Sequence, residues 1–249
     1  MDTNRKNNMI KSADRIGNWI GFGLAAAFAV TQKWSLQEFC WSIWVAGLFL
    51  CWFMVITSGT RVIMTARKEK TAYEESLPFL TNLSPYLFLI GITAIVLAVG
   101  WIAMILYTYL FGFYGLFLSV FATMQPEDLF GPNGFINSDF FTPVAYLAEK
   151  LWPMIFGTLI ANTEIFFWKN PWHGILRPFQ TQIVQVHIMV VVMPFLTLIV
   201  WMLFKTAYQP ITILLLLGIF YLLPFNRNPK NSHATPHENK QAENHTLNS

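Results

Sequence analysis

Long apolar runs separated by short polar joints dominate this chain. A helix needs about 20 apolar residues to cross the hydrocarbon of a bilayer. Runs of that kind occupy residues 16–31 (a little short), 38–57, 83–124, 144–168, 183–204 and 211–225. The joint at residues 32–37 is short enough for a tight helical hairpin. The run 83–124 is about twice the usual length, and the pattern allows one long span, a broken span or a two-helix hairpin turning near Gly100. Residues 226–249 are polar, show no apolar periodicity and read as a disordered tail. The expected fold is therefore all-α: a transmembrane helical bundle of about six spans over residues 1–225, followed by that tail.

Composition supports this pattern. Hydrophobic residues make up 55% of the chain and charged residues 12%, about half the charged share of a soluble domain. Aromatics reach 16%, with ten Trp, and Trp and Tyr favour membrane–water interfaces. Trp34, Trp168 and Trp172 read as anchors of that kind. A net charge of +3 gives no reason to expect a nucleic-acid partner. Cys40 and Cys51 fall in one run; eleven residues of helix separate them by roughly 16 Å, too far for a disulfide within it.

Charge distribution gives an orientation, because Lys and Arg favour cytoplasmic loops. If the N-terminus is inside and residues 83–124 cross once, 13 of the 16 Lys and Arg lie inside: Arg5, Lys6, Lys11, Arg15, Arg61, Arg67, Lys68, Lys70, Lys169, Arg177, Arg227, Lys230 and Lys240. Lys33, Lys150 and Lys205 lie outside, as does the acidic loop with Glu127, Asp128 and Asp139. The expected location is the cell (inner) membrane, with both termini cytoplasmic.

The first run has a rival reading as a cleaved signal, since four cations precede it and Ala27-Phe28-Ala29 resembles a cleavage site. Against that, Gly17, Gly21, Ala25 and Ala29 fall at strict four-residue spacing. Such a stripe lets another helix approach closely, which a disposable signal does not need.

No P-loop, HExxH, GxSxG or GxGxxG pattern occurs. Any site is thus sought among intramembrane polar residues, which are costly and point to function by default. Asn162 and Glu164 close the fourth run, and Gln182, Gln185 and His187 open the fifth. Helices joined there would bring these groups to similar depth. Two readings stay open: hydrogen-bonding glue between helices, or a solute, proton or metal site. Glu149 and Lys150 read as boundary residues at the outer end of the fourth run.

Three segments also resemble an uncharacterised family of bacterial multi-pass membrane proteins, a domain of unknown function. They are Lys33-Trp34-Ser35-Leu36 before a Trp-rich span, Tyr114-Gly115-Leu116-Phe117, and Pro178-Phe179 with His187-Ile188-Met189. The family pattern has His where this chain has Phe113, a second His near Phe121, and Trp-Glu where this chain reads Trp44-Val45. Of its intramembrane histidines only His187 carries over. The resemblance implies a bundle in the membrane and lends no activity.

No cofactor, metal or catalytic residue is assigned. The expected function is a non-enzymatic membrane protein, transporter-like or a structural partner subunit, in contact with the lipid bilayer and with a membrane-protein partner or a second copy. The alternative is an intramembrane enzyme acting on lipid, with Glu164 and His187 as acid/base groups brought within hydrogen-bond reach.

Overall fold

The computed structural model describes residues 3–68, 84–131, 133–137, 139–163, 175 and 182–222. Their regular structure is all helical, with no strand among the described residues. α1 (Thr3–Thr31) and α2 (Leu36–Lys68) are joined by a tight turn. Lys33 takes a left-handed conformation there (φ 52), and the Trp34 N–H donates to Ala29 O at 2.9 Å. Ser35 and Glu38 start α2 as a capping box. The Ser35 N–H donates to Glu38 Oε2 at 2.8 Å, and the Glu38 N–H donates to Ser35 Oγ at 3.2 Å. Two orphan donors of the first turn are thereby satisfied.

α3 (Pro85–Phe121) is a single helix, and it occupies nearly the whole of the long run. The Ser84 hydroxyl accepts from the Leu87 N–H, and Pro85, which has no N–H to leave unpaired, follows at the first position. α3 runs antiparallel to α2. Gly59 lies against Val96 and Gly100 against Val55, while Trp52 Nε1 donates to Thr108 Oγ1 at 3.1 Å. Two short helices follow, α4 (Glu127–Phe130) and α5 (Gly134–Asn137).

The fourth run, read from sequence as one span, is two helices. α6 (Phe141–Lys150) and α7 (Trp152–Ala161) meet at Leu151 with a bend of 82°. Leu151 leaves the helical region (φ −115, ψ 22), and a proline, Pro153, stands in the first turn of α7. A proline there lacks the N–H that would extend α6 and is preorganised to begin a new helix. α8 (Gln182–Phe204) ends at Lys205, a second left-handed residue (φ 43). A short 3₁₀ turn (Lys205–Ala207) leads into α9 (Tyr208–Leu222), which packs against α8.

Among the described residues, three stretches are long and apolar enough to cross a membrane: Leu36–Lys68, Pro85–Val120 and Phe195–Leu222. The bent pair α6–α7 makes a fourth if it counts as one span. Phe195–Leu222 passes as one stretch on length and mean hydropathy, but the break at Lys205 and the packing of α9 on α8 divide it into two helices. The expected count of about six includes the short apolar part of α1, Ile16–Thr31, and divides that last stretch in two. On length and apolarity the count among the described residues is three, or four with the bent pair.

α2 is the central element. In its most apolar stretch 78% of residues are buried, against 22% for α3. Phe39, Trp41, Trp44, Leu48, Cys51 and Met54 are all shielded. α1 makes its main contacts with α7 and α9 rather than with α2, to which it is joined. The physical reason lies in the two surfaces. α2 presents large aromatics, whereas the small residues of α1 suit a backbone that can come equally close.

Candidate functional site

α1 and α7 approach each other backbone to backbone, in a seam that a side chain of α9 closes. α1 and α7 are antiparallel: Gly17 faces Ile160 and Ala161, Gly21 faces Gly157, and the Phe28 and Trp152 rings meet edge to face at 5.2 Å. A Cβ added at Gly21 would lie 2.6 Å from Gly157 O, and one at Gly17 would lie 2.9 Å from Ile160 O. Only a missing side chain allows two backbones to come this close. Ala25 and Ala29 continue the same face and are buried.

Tyr221 of α9 closes this seam. Its hydroxyl lies 3.1 Å from Thr158 Oγ1 and donates toward Met154 Sδ at 3.4 Å. A Cβ on Gly157 would fall 2.9 Å from that same hydroxyl. Tyr221 and Thr158 are fully buried and satisfy each other, as buried polar groups must. One residue beyond Gly17, Asn18 is also buried, and its Oδ1 has no protein hydrogen-bond partner.

A second cluster lies between the start of α2 and the end of α3. The Trp41 indole N–H donates to Ala122 O at 2.8 Å, and that of Trp44 donates to Phe111 O at 2.7 Å. The two rings meet each other and Phe111, Phe130, Phe135 and Phe140 mostly edge to face. Phe135 of α5 presses on Gly115, where a Cβ would collide with its ring. Beside this cluster Lys150, at the end of α6, forms an ion pair with Glu38 at 2.7 Å. Glu38 thus serves the α2 cap and the α6–α7 corner together. Between α5 and α6, Asp139 accepts from the Thr142 N–H and hydroxyl, which hold its carboxyl below the usual range.

The polar residues singled out from sequence meet different outcomes. Asn162 caps the end of α7: its N–H reaches the carbonyls of Thr158 and Leu159, and its side-chain amide donates to Thr158 O at 2.8 Å. Glu164 lies outside the described residues. Gln182, Gln185 and His187 stand on the described backbone of α8, with side chains outside the described residues. Gly17, Gly21, Ala25 and Ala29 all lie in the buried seam just described.

Sequence reasoning missed Tyr221, Thr158, Trp41 and Trp44. It also assigned Trp34 to the lipid interface as an anchor, yet Trp34 is buried in protein, its indole N–H bonded to Gln32 Oε1 at 2.9 Å. The signal for Trp41 and Trp44 was present: three-residue spacing places them on one face of a helix, and buried indoles seek an acceptor. Among the described residues no group of three or more His, Cys, Asp or Glu could hold a metal ion. No protein-family model, curated protein or solved structure matches the chain.

Proposed function

We propose that this is a non-enzymatic, multi-pass protein of the cell membrane that acts as a structural or partner subunit. The observation that carries this reading is the seam of α1, α7 and α9. Gly21 and Gly157 meet backbone to backbone, and the hydroxyls of Tyr221 and Thr158 bond to each other. A solute path between these helices would need room. Here the space is filled by main chain, and the two hydroxyls are engaged in holding helices together. This favours a scaffold over a transporter-like bundle.

The orientation, with both termini cytoplasmic, rests on the Lys and Arg distribution. The fold is compatible with it: Lys33 and the Glu38–Lys150 pair gather at one end of α2, and Arg67 and Lys68 stand at the other. The resemblance to an uncharacterised bacterial multi-pass family belongs to the same proposal and adds no activity to it.

Substituted-cysteine accessibility tests the reading. Thr158→Cys is made in a background with Cys40 and Cys51 replaced by Ala, and intact membranes are treated with a charged, water-soluble thiol reagent. We expect no labelling unless the membranes are first solubilised and unfolded. Labelling in intact membranes would reveal water at the seam and favour transport. Reporter fusions after residue 249 and within residues 125–142 test the orientation. A C-terminus outside the cytoplasm would overturn it.

A further inference from the structure

α2 and α3 are longer than a bilayer is thick, and the excess falls at one end. α2 carries no charge between Glu38 and Arg61, a length of about 34 Å at ~1.5 Å per residue. That closely matches the ~30 Å of hydrocarbon in a typical bilayer. Glu38, paired with Lys150, and Arg61 thus bracket the apolar layer on α2.

Beyond Arg61 the helix continues through exposed Arg67 and Lys68. α3 goes with it. Val96 lies against Gly59 at the edge of the layer, and Phe88 and Ile92 pack on Val62 and Ala66 past it. From Val96 back to Pro85 is a further ~16 Å of helix. That extension should face polar surroundings, yet α3 contains no charged residue at all. Tyr86, Leu87 and Ile90 point away from α2 and are 74%, 51% and 49% exposed.

An exposed tyrosine and two aliphatics at the same end of a hairpin as two exposed cations is the chemistry of the headgroup layer. Apolar groups there enter the acyl boundary while cations meet phosphates. We infer that this end of the α2–α3 hairpin is a lipid-binding surface: Tyr86, Leu87 and Ile90 are immersed at the headgroup–acyl boundary, and Arg67 and Lys68 hold the phosphates of anionic lipids. The inference rests on the membrane reading proposed above and adds to it a depth and a lipid class.

The test uses the full chain reconstituted into phosphatidylcholine vesicles with and without phosphatidylglycerol, an anionic lipid whose surface charge attracts juxtamembrane cations. A single fluorophore is attached at Leu87→Cys in the Cys40→Ala, Cys51→Ala background, with Ile90→Cys as a second reporter if the first variant does not fold. Lipids carrying a quencher at the headgroup, the upper chain or the chain end report depth. We expect the strongest quenching from headgroup and upper-chain labels. We also expect at least two-fold stronger quenching from headgroup-labelled phosphatidylglycerol than from its phosphatidylcholine counterpart, with that preference abolished by Arg67→Gln with Lys68→Gln.

Full quenching by aqueous iodide would place the hairpin end in water. Strongest quenching from chain-end labels would place it deep in the hydrocarbon of a steeply tilted hairpin. A wild-type preference of one would remove the lipid class. Each of these overturns the proposal. Alkaline carbonate extraction separates the two levels: protein released from the vesicles contradicts the membrane reading, whereas retained protein with Leu87 in water contradicts this inference alone.

Discussion

The contacts of α1 with α7 and of α2 with α3 join helices by opposite means. The first is made of absences: Gly17, Gly21 and Gly157 have no side chains, and the backbones meet. The second is made of bulk: Trp41 and Trp44 fill the space and spend their indole N–H groups on carbonyls of the facing chain. Lipid tails are as apolar as leucine, so burial of apolar surface cannot by itself draw helices together in a membrane. Each contact therefore supplies something lipid cannot. For α1 it is van der Waals contact at backbone distance, and for α2 it is a hydrogen bond to an acceptor that lipid would leave without a partner.

The difference also explains why α2 is central and α3 peripheral, although both are apolar along most of their length. α2 carries indole donors on the side that meets α3 and the α4–α5 segment. α3 turns its uncharged outer face away, exposing Leu97, Trp101, Tyr109 and Phe113.

The largest effect is expected at the bulky contact. Trp44→Ala removes a fully buried indole and its bond to Phe111 O, which should cost about 3–5 kcal/mol and show as a marked fall in melting temperature in mild detergent. Trp44→Phe keeps most of the ring and loses the donor, so its cost should be nearer ~1 kcal/mol. Equal losses from the two variants would show that the hydrogen bond, and not the volume, carries the contact.

A smaller effect is expected where polar groups join the close-packed seam. Tyr221→Phe leaves the ring against Gly21 and removes the hydroxyl that meets Thr158. Interhelical hydrogen bonds in membranes average about 0.6 kcal/mol, and a melting shift of that size is expected. A loss several times larger would mean that the seam depends on the hydroxyl and not on backbone proximity.

The smallest effect belongs to Asp139, at the start of α6 outside both contacts. Its carboxyl is held below the usual range by Thr142. A lowered folded-state pKa stabilises above the unfolded value, and the stabilisation is lost as pH falls through the folded value. Asp139→Ala should therefore lower the melting temperature slightly near neutral pH, and the difference from wild type should vanish in acid. A difference that grows in acid would contradict this sign.

Much of this was legible in the pattern of apolar positions. The all-helical class follows from runs that only helices can carry across lipid. The α1 stripe showed itself because four-residue spacing of small residues has few other uses. The bend at Leu151 was only hinted at: the charged pair Glu149-Lys150 stands before it and Pro153 after it, but hydropathy does not register a change of direction. Tyr221 was hidden for a different reason. It lies in the last apolar run, and its value comes from Thr158 and Gly157, more than 60 positions away in sequence. The Glu38–Lys150 pair was missed likewise, because the end of each run looked like a separate boundary.

The central claim, that the small-residue face of α1 is a packing surface of the folded bundle, is tested most directly by two glycines two residues apart. A Cβ on Gly21 would meet Gly157 O at 2.6 Å, whereas one on Gly23 would meet nothing within 4 Å. Alanine favours a helix over glycine by about 0.8–1 kcal/mol, so Gly23→Ala should leave the melting temperature in detergent unchanged or raise it. Gly21→Ala should lower it by several degrees, because overpacking typically costs about 1–3 kcal/mol. Equal melting temperatures for the two variants, or a more stable Gly21→Ala protein, would contradict the claim.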